Sequence, residues 1–278
     1  MTIALVVGEV LSHPARHPVG TAPTELSAQA VTLPTLGNDS VSGWFIKGKP
    51  GYGAVLLLHG IRADRWQMLP RAKFLNKIGY AVLLVDLPAH GESTGQRISF
   101  GFYESVGVNT ALAYLAQQLP HEKVAVIGVS LGAASLVLSE KHPRLHAVVL
   151  ESMFPTITEA VDDRLTHYLG PVGHYFAPLL LWQLPYKVNA TAEQLRPIAA
   201  LPFLHVPVFI VSGTKDWHTT PAETQQIFQA ANTPKQLWLV DGAAHEDLHS
   251  FDTHAYEAKI SAFLANYLNH EPPLPNQH

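Results

Sequence analysis

A serine, an aspartate and a histidine, each directly after an apolar run, give this chain its chemistry. Ser130 lies in Gly128-Val129-Ser130-Leu131-Gly132, between the β-branched run KVAVIG (123–128) and the helix-forming AASLVLSEKH (133–142). A serine between two glycines at a strand-to-helix turn is the nucleophile-elbow pattern G-x-S-x-G. Such a turn strains the backbone of the serine, and the flanking glycines avoid side chains that would strike the adjoining strand and helix. The helix that follows aims its first N–H groups at negative charge developing beside the serine. This is the arrangement for acyl transfer through a covalent serine.

Serine is a weak nucleophile at neutral pH and needs a histidine to take its proton and a carboxylate to orient that histidine. The buried-strand run VPVFIVSG (206–213) is followed at once by Thr214-Lys215-Asp216. The next strand run, KQLWLVDG (235–242), is followed by Ala243-Ala244-His245. The chain order is therefore Ser…Asp…His, with Asp216 as the acid and His245 as the base. Glu151, at the end of an earlier strand run, is the competing acid, expected instead to anchor residues 153–205 by hydrogen bonds.

A different chemistry is written over the same histidine. His245-Glu246-Asp247-Leu248-His249 matches H-E-x-x-H, which binds zinc when both histidines share one face of a helix. Here Gly242 lies just ahead and the stretch follows a strand, and position 255 is alanine where the extended motif needs a third histidine. The expectation is no metal site and no cofactor. His59 and His90 read as residues that shape loops through hydrogen bonds. Asp162 and Asp163 read as solvated helix charges.

These residues need a frame that brings distant loops to one edge. From Gly53 onward apolar strand runs at 54–58, 81–86, 123–128 and 147–151 alternate with helical stretches near 65–78, 103–118 and 131–141. Such alternation predicts a mostly parallel sheet with helices on both faces, and ligands bind at the carboxyl edge of such sheets. VSGWFIKG (41–48) reads as an early antiparallel strand, and residues 1–38 as an irregular surface arm. Residues 153–205 interrupt the alternation and carry helices of their own.

With the motifs His59-Gly60-Ile61 after AVLLLHG, Asp86-Leu87-Pro88-Ala89-His90-Gly91-Glu92-Ser93 after AVLLVD, the elbow at Ser130, and the Asp216 and His245 loops, the sequence resembles the α/β-hydrolase superfamily over nearly its whole length. Within it, the chain looks most like single-domain bacterial carboxylesterases of the serine aminopeptidase and lysophospholipase-like branch. The resemblance implies an α/β-hydrolase fold in one domain, 1–278, with 153–205 as a lid between two late strands. It implies Ser130 as nucleophile, Asp216 as acid, His245 as base, and an oxyanion hole from the backbone N–H groups of Ile61 and Leu131. Phe154, Tyr175, Phe176, Leu180, Leu181 and Trp182 are candidates to line an acyl pocket. The function implied is hydrolysis of carboxylic esters with a hydrophobic part. The alternatives are an acyltransferase or thioesterase using the same triad, and a ligand-binding protein that keeps the fold.

The resemblance implies a small-molecule acyl ester as partner, and composition narrows the other classes. Among 278 residues, charged side chains are 14% and hydrophobic ones 47%, which suits a large buried core. Net charge is −4 with no block of like charge, so nothing points to nucleic acid. Cysteine is absent, which excludes thiolate catalysis and disulfides. No cluster of Lys or Arg in 153–205 suits a phosphate or an acidic polysaccharide. The opening MTIALVVGEVL is too short for a membrane span and is broken by Glu9. The expected location is cytoplasmic; the alternative is an exported or anchored protein whose leader would precede this chain.

Overall fold

The computed structural model describes residues 2–35, 37–140 and 145–268. Its frame is an eight-stranded sheet: β1 (Gln29–Pro34), β2 (Ser40–Ile46), β3 (Ala54–Leu58), β4 (Ala81–Val85), β5 (Val124–Val129), β6 (Leu145–Glu151), β7 (Val208–Gly213) and β8 (Lys235–Val240). The order across the sheet is β1-β2-β4-β3-β5-β6-β7-β8. β2 runs antiparallel to β1 and β4, and every other neighbouring pair is parallel.

The apolar runs are explained by burial on both faces. Side chains alternate along a strand, so a fully apolar run needs cover on each side. Leu56 and Leu58 of β3 join one core with Val108, Ala111 and Leu115 of the helix Phe102–Gln118. Val55 and Leu57 of the same strand point the other way, into a core with Tyr256, Ile260 and Phe263 of the helix Thr253–Leu268. One strand thereby serves two cores, and the loops at its carboxyl end are held from both sides.

The N-terminal stretch is not irregular throughout. Thr2–Ser12 forms a helix, and Gln29–Pro34 is the sheet's edge strand β1. The helix is held by tertiary contacts: Glu9 pairs with Lys187 at 2.7 Å and with Arg97, and Gln183 Nε2 donates to Ala4 O at 2.9 Å. Among the described residues no helix is long and apolar enough to cross a membrane.

Residues 153–205 leave the sheet after β6 and return at β7. They form the helix Ile157–Leu169, short helical turns, and three further short helices, Ala177–Leu181, Leu184–Val188 and Pro197–Ala200. Ile157, Leu184, Val188, Ala190 and Leu195 make a small core of their own, separate from the two that flank the sheet. This insertion rests on the body at the edge where β5, β7 and β8 end.

Candidate active site

Ser130 occupies the first turn between β5 and the helix Leu131–Val137, with φ +49° and ψ −107°. A positive φ is uncommon for a side chain with Cβ and marks a strained turn. The flanking glycines are required sterically. A Cβ on Gly128 would sit 2.6 Å from Ala133 N, and one on Gly132 would sit 2.5 Å from Leu58 O. The strain is held by main-chain bonds: Ser130 N–H donates to Glu151 O at 2.8 Å, and Ala134 N–H donates to Ser130 O at 3.0 Å.

Asp216 and His245, each just past a strand end, are brought together across 29 positions of sequence. His245 Nδ1 lies 2.9 Å from Asp216 Oδ2. A carboxylate accepts, so Nδ1 carries the proton and Nε2 keeps a lone pair. Asp216 Oδ1 accepts from the backbone N–H of His218 at 2.9 Å and of Thr219 at 3.0 Å. Burial pushes the Asp216 carboxyl up, but the bond from His245 and the two N–H groups outweigh it and hold it below the usual carboxylate range. Among the described residues no hydrogen bond joins Ser130 Oγ to His245.

Ile61 and Leu131 both border the cavity that contains Ser130. No hydrogen bond among the described residues takes up the N–H of Ile61. That of Leu131, first in its helix, has no acceptor within the helix. Gly60 adjoins the serine: a Cβ on it would make ordinary contact, 3.6 Å from Gln67 Oε1 and 3.9 Å from Ser130 Cβ. His59 fixes the turn: Leu87 N–H donates to its Nε2 at 2.9 Å, so its Nδ1–H donates to Gly60 O at 2.7 Å. Burial lowers its pKa to about 3, and the ring is a neutral strut. His90 likewise contacts Pro88 O at 2.9 Å and packs edge-on against His59.

Other sequence expectations land elsewhere. The Glu151 carboxylate is buried against the body and does not anchor the insertion. It accepts from Arg71 Nη2 at 2.7 Å and from the Tyr256 hydroxyl, and Arg71 also pairs with Asp247 at 3.0 Å. The HEDLH stretch is not one helix: the helical turn starts at Leu248, and His249 turns away to Glu257 at 3.1 Å while His245 turns to Asp216. Asp163 is not a solvated charge. Burial and the neighbouring Glu223 carboxyl push it up to about 7.

A cavity of about 110 Å³ opens beside Ser130. Phe154, Leu180 and Leu181 line it as expected, whereas Tyr175, Phe176 and Trp182 point to solvent and are 47–77% exposed. Gly8 and Leu11 of the N-terminal helix also line it, as does Arg164 of the insertion. None of these three carries a local signal, because each arrives from a segment whose docking depends on the fold.

His218 is a further residue that motif reading passed over. Its ring lies 4.5 Å from that of His245, centroid to centroid, and among the described residues its buried Nδ1 has no hydrogen-bond partner. Burial and the positive neighbours lower its pKa to about 4, so it is neutral at physiological pH. Asp216, His218 and His245 place donor atoms within 4.8 Å of one another, a set that fits a metal ion by type. Two of the three are already bonded to each other, which favours the acid–base pair over a ligand set.

Comparison with known proteins agrees with this frame. Residues 55–258 match the family described as the alpha/beta hydrolase family. An uncharacterized protein of Mycobacterium tuberculosis is 27% identical over 257 residues, covering 90% of this chain and 84% of that protein. The uncharacterized protein YqkD of Bacillus subtilis is 20% identical over 254 residues, covering 90% and 83%. Among solved structures, the esterase Pf2001 of Pyrococcus furiosus superposes with a TM-score of 0.75 at 25% identity, covering 93% of this chain and 99% of that one. The alpha/beta hydrolase GrgF of a Penicillium species superposes at 0.69 with 16% identity, covering 87% and 99%, a likeness of fold alone.

Proposed function

We propose that this chain, which belongs to the alpha/beta hydrolase family, is a serine esterase that hydrolyses small carboxylic esters through Ser130, His245 and Asp216. The observation that carries this reading is the 2.9 Å bond between His245 Nδ1 and Asp216 Oδ2 at the sheet edge that also bears the Ser130 elbow. The bond leaves Nε2 free to accept a proton. The likeness to an esterase of known structure supports the ester as substrate class.

In the proposed reaction Ser130 Oγ attacks the ester carbonyl while its proton passes to His245 Nε2. The resulting oxyanion is held by the N–H groups of Leu131 and Ile61, and each such donor contributes about 10²–10³ in rate. His245 then protonates the leaving alcohol, and water attacks the acyl-enzyme by the same route. The Ser130–His245 bond forms on substrate binding, as catalytic hydrogen bonds often do. Asp216, held ionised by its partners, keeps the imidazole in the required tautomer.

The insertion acts as a lid, and body and insertion work as one catalytic domain. Its residues roof the cavity beside Ser130, and their apolar character suits an aliphatic chain. An apolar cavity of about 150 Å³ holds benzene. On that scale about 110 Å³ holds roughly four or five carbons, so short acyl esters are the preferred class.

A fluorophosphonate probe tests the assignment directly. The parent protein should be labelled once, on Ser130, and Ser130→Ala should abolish labelling and lower ester turnover by on the order of 10⁴-fold or more while the fold persists. Labelling at another residue, or undiminished turnover in the variant, overturns it.

A further inference from the structure

The lining of the catalytic cavity is mostly apolar; besides Ser130 its polar side chains are Ser12, Gln183, Lys187 and Arg164, of which the first three bond within or to the N-terminal helix. Arg164, on the helix Ile157–Leu169, borders the same cavity as Ser130. Among the described residues its guanidinium makes a single hydrogen bond, from Nη1 to Ala160 O at 2.6 Å within its own helix. Among the described residues no carboxylate oxygen lies within 4.0 Å of it. A guanidinium carries five N–H donors and remains protonated in proteins, so most of its donors stay open.

The carboxylates whose charge reaches Arg164 are Asp163, Asp216 and Glu223. None of them is within ion-pair distance of it. Asp216 holds His245 and two backbone N–H groups. Glu223 accepts from Thr220 N–H at 2.6 Å and from the Thr220 hydroxyl at 2.9 Å, capping its own helix. Asp163 lies against Glu223, and burial together with that neighbour pushes the Asp163 carboxyl up to about 7. The cavity's other cation, Lys187, is paired with Glu9 at 2.7 Å, and no acidic side chain lines the cavity.

These carboxylates act on Arg164 through their charge without a direct ion pair, so an anion that bonds its remaining donors would add a contact the protein does not supply. A fork of open N–H donors matches a carboxylate, which it grips through two parallel bonds. The lack of a Lys/Arg cluster argues against a polyanion, and one guanidinium suits one carboxylate. The cavity's volume places that carboxylate a few carbons from the carbonyl that reaches Ser130.

We propose that Arg164 is a specificity-determining residue that binds a carboxylate of the substrate, so that the preferred ester carries an anionic group a few carbons from its scissile carbonyl. This rests on the esterase reading above. The anion belongs either to the acyl part or to the alcohol part, and two substrate pairs separate these: monoethyl glutarate against ethyl valerate, and butyryl glycolate against ethyl butyrate. Within each pair the carboxylate is replaced by a methyl group, and comparing the ratio of kcat/KM between parent and variant cancels the intrinsic reactivity of the esters.

Arg164→Met should lower the charged-to-neutral ratio for one pair by on the order of 10- to 100-fold, the factor contributed by a hydrogen bond to a charged group. The loss should lie mainly in KM, because the contact is made equally in ground and transition states. Arg164→Lys should keep an intermediate ratio, and it serves as the measured variant if the methionine does not fold. A ratio that moves less than about threefold for both pairs in either folded variant overturns the proposal. If the parent hydrolyses none of the four esters, the esterase reading fails but the subsite is still tested. Glutarate binding followed by calorimetry should then be present in the parent and at least about tenfold weaker in the variant. Equal binding, or none to the parent, overturns it.

Discussion

The backbone N–H of Ser130 donates to the backbone carbonyl of Glu151 at 2.8 Å, while the Glu151 carboxylate is spent on Arg71 and Tyr256. One residue thus supports the strained elbow with its main chain and ties the sheet to two helices with its side chain. Neither role orients the histidine. Asp216 does that, and its environment keeps it ionised.

This division of labour separates two substitutions of equal chemical size. Asp216→Asn removes the group that fixes the tautomer and stabilises the imidazolium, and should lower ester turnover by about 10⁴-fold with little loss of stability. Glu151→Gln leaves the acid–base pair intact and should keep at least about a tenth of the parent rate. It also strips a charge from the buried Arg71, which should cost about 3 kcal/mol in urea denaturation. A dead Glu151→Gln beside an active Asp216→Asn would reverse the acid assignment.

The two histidines of HEDLH should behave differently. His245→Ala should approach Ser130→Ala in severity, since His245 is the proposed general base. His249 pairs with Glu257 and stacks on Phe74, so His249→Ala should change turnover by less than about threefold and show its effect in thermal stability. EDTA or phenanthroline should leave the rate unchanged. Equal loss from both histidines, together with stoichiometric metal in the purified protein, would mark zinc chemistry instead.

Asp163 should make stability fall as pH rises. Its carboxyl is raised from 3.8 to about 7 in the folded protein, chiefly by burial and then by Glu223. Between those values the folded state binds more protons than the unfolded state, so stability declines from about pH 4 to about pH 7. Asp163→Asn removes the titrating group. Its melting temperature should exceed the parent's by a few degrees at about pH 8, an effect limited by the half-exposure of the group, and the gap should narrow by about pH 5. Parallel melting curves for parent and variant across this range would contradict the carboxyl pair.

Part of the site is legible along the chain because its demands are local. The elbow needs glycine where Gly128 and Gly132 stand, since any Cβ there would meet backbone at 2.5–2.6 Å. A strand buried on both faces must be apolar at every position, which is why AVLLL and AVLLV read as β3 and β4 directly. The chain order of serine, aspartate and histidine follows from loops that each close a strand.

The tertiary structure alone decides what depends on sheet order and docking. Asp216 meets His245 because β7 and β8 are parallel neighbours, which aligns the ends of two strands whose loops lie 29 residues apart. Asp163 and Arg164 look like ordinary polar residues of a helix face until that helix is laid against the body. Burial then pushes up the pKa of the one carboxyl, beside Glu223, and leaves one guanidinium, in a residue that borders the cavity, with a single hydrogen bond among the described residues, inside its own helix. The N-terminal helix has no legible role in sequence, because its place over the cavity is set by Glu9 reaching Arg97 and Lys187. Local backbone requirements are written in residue types, whereas the field and partners of a charge exist only once distant segments are packed together.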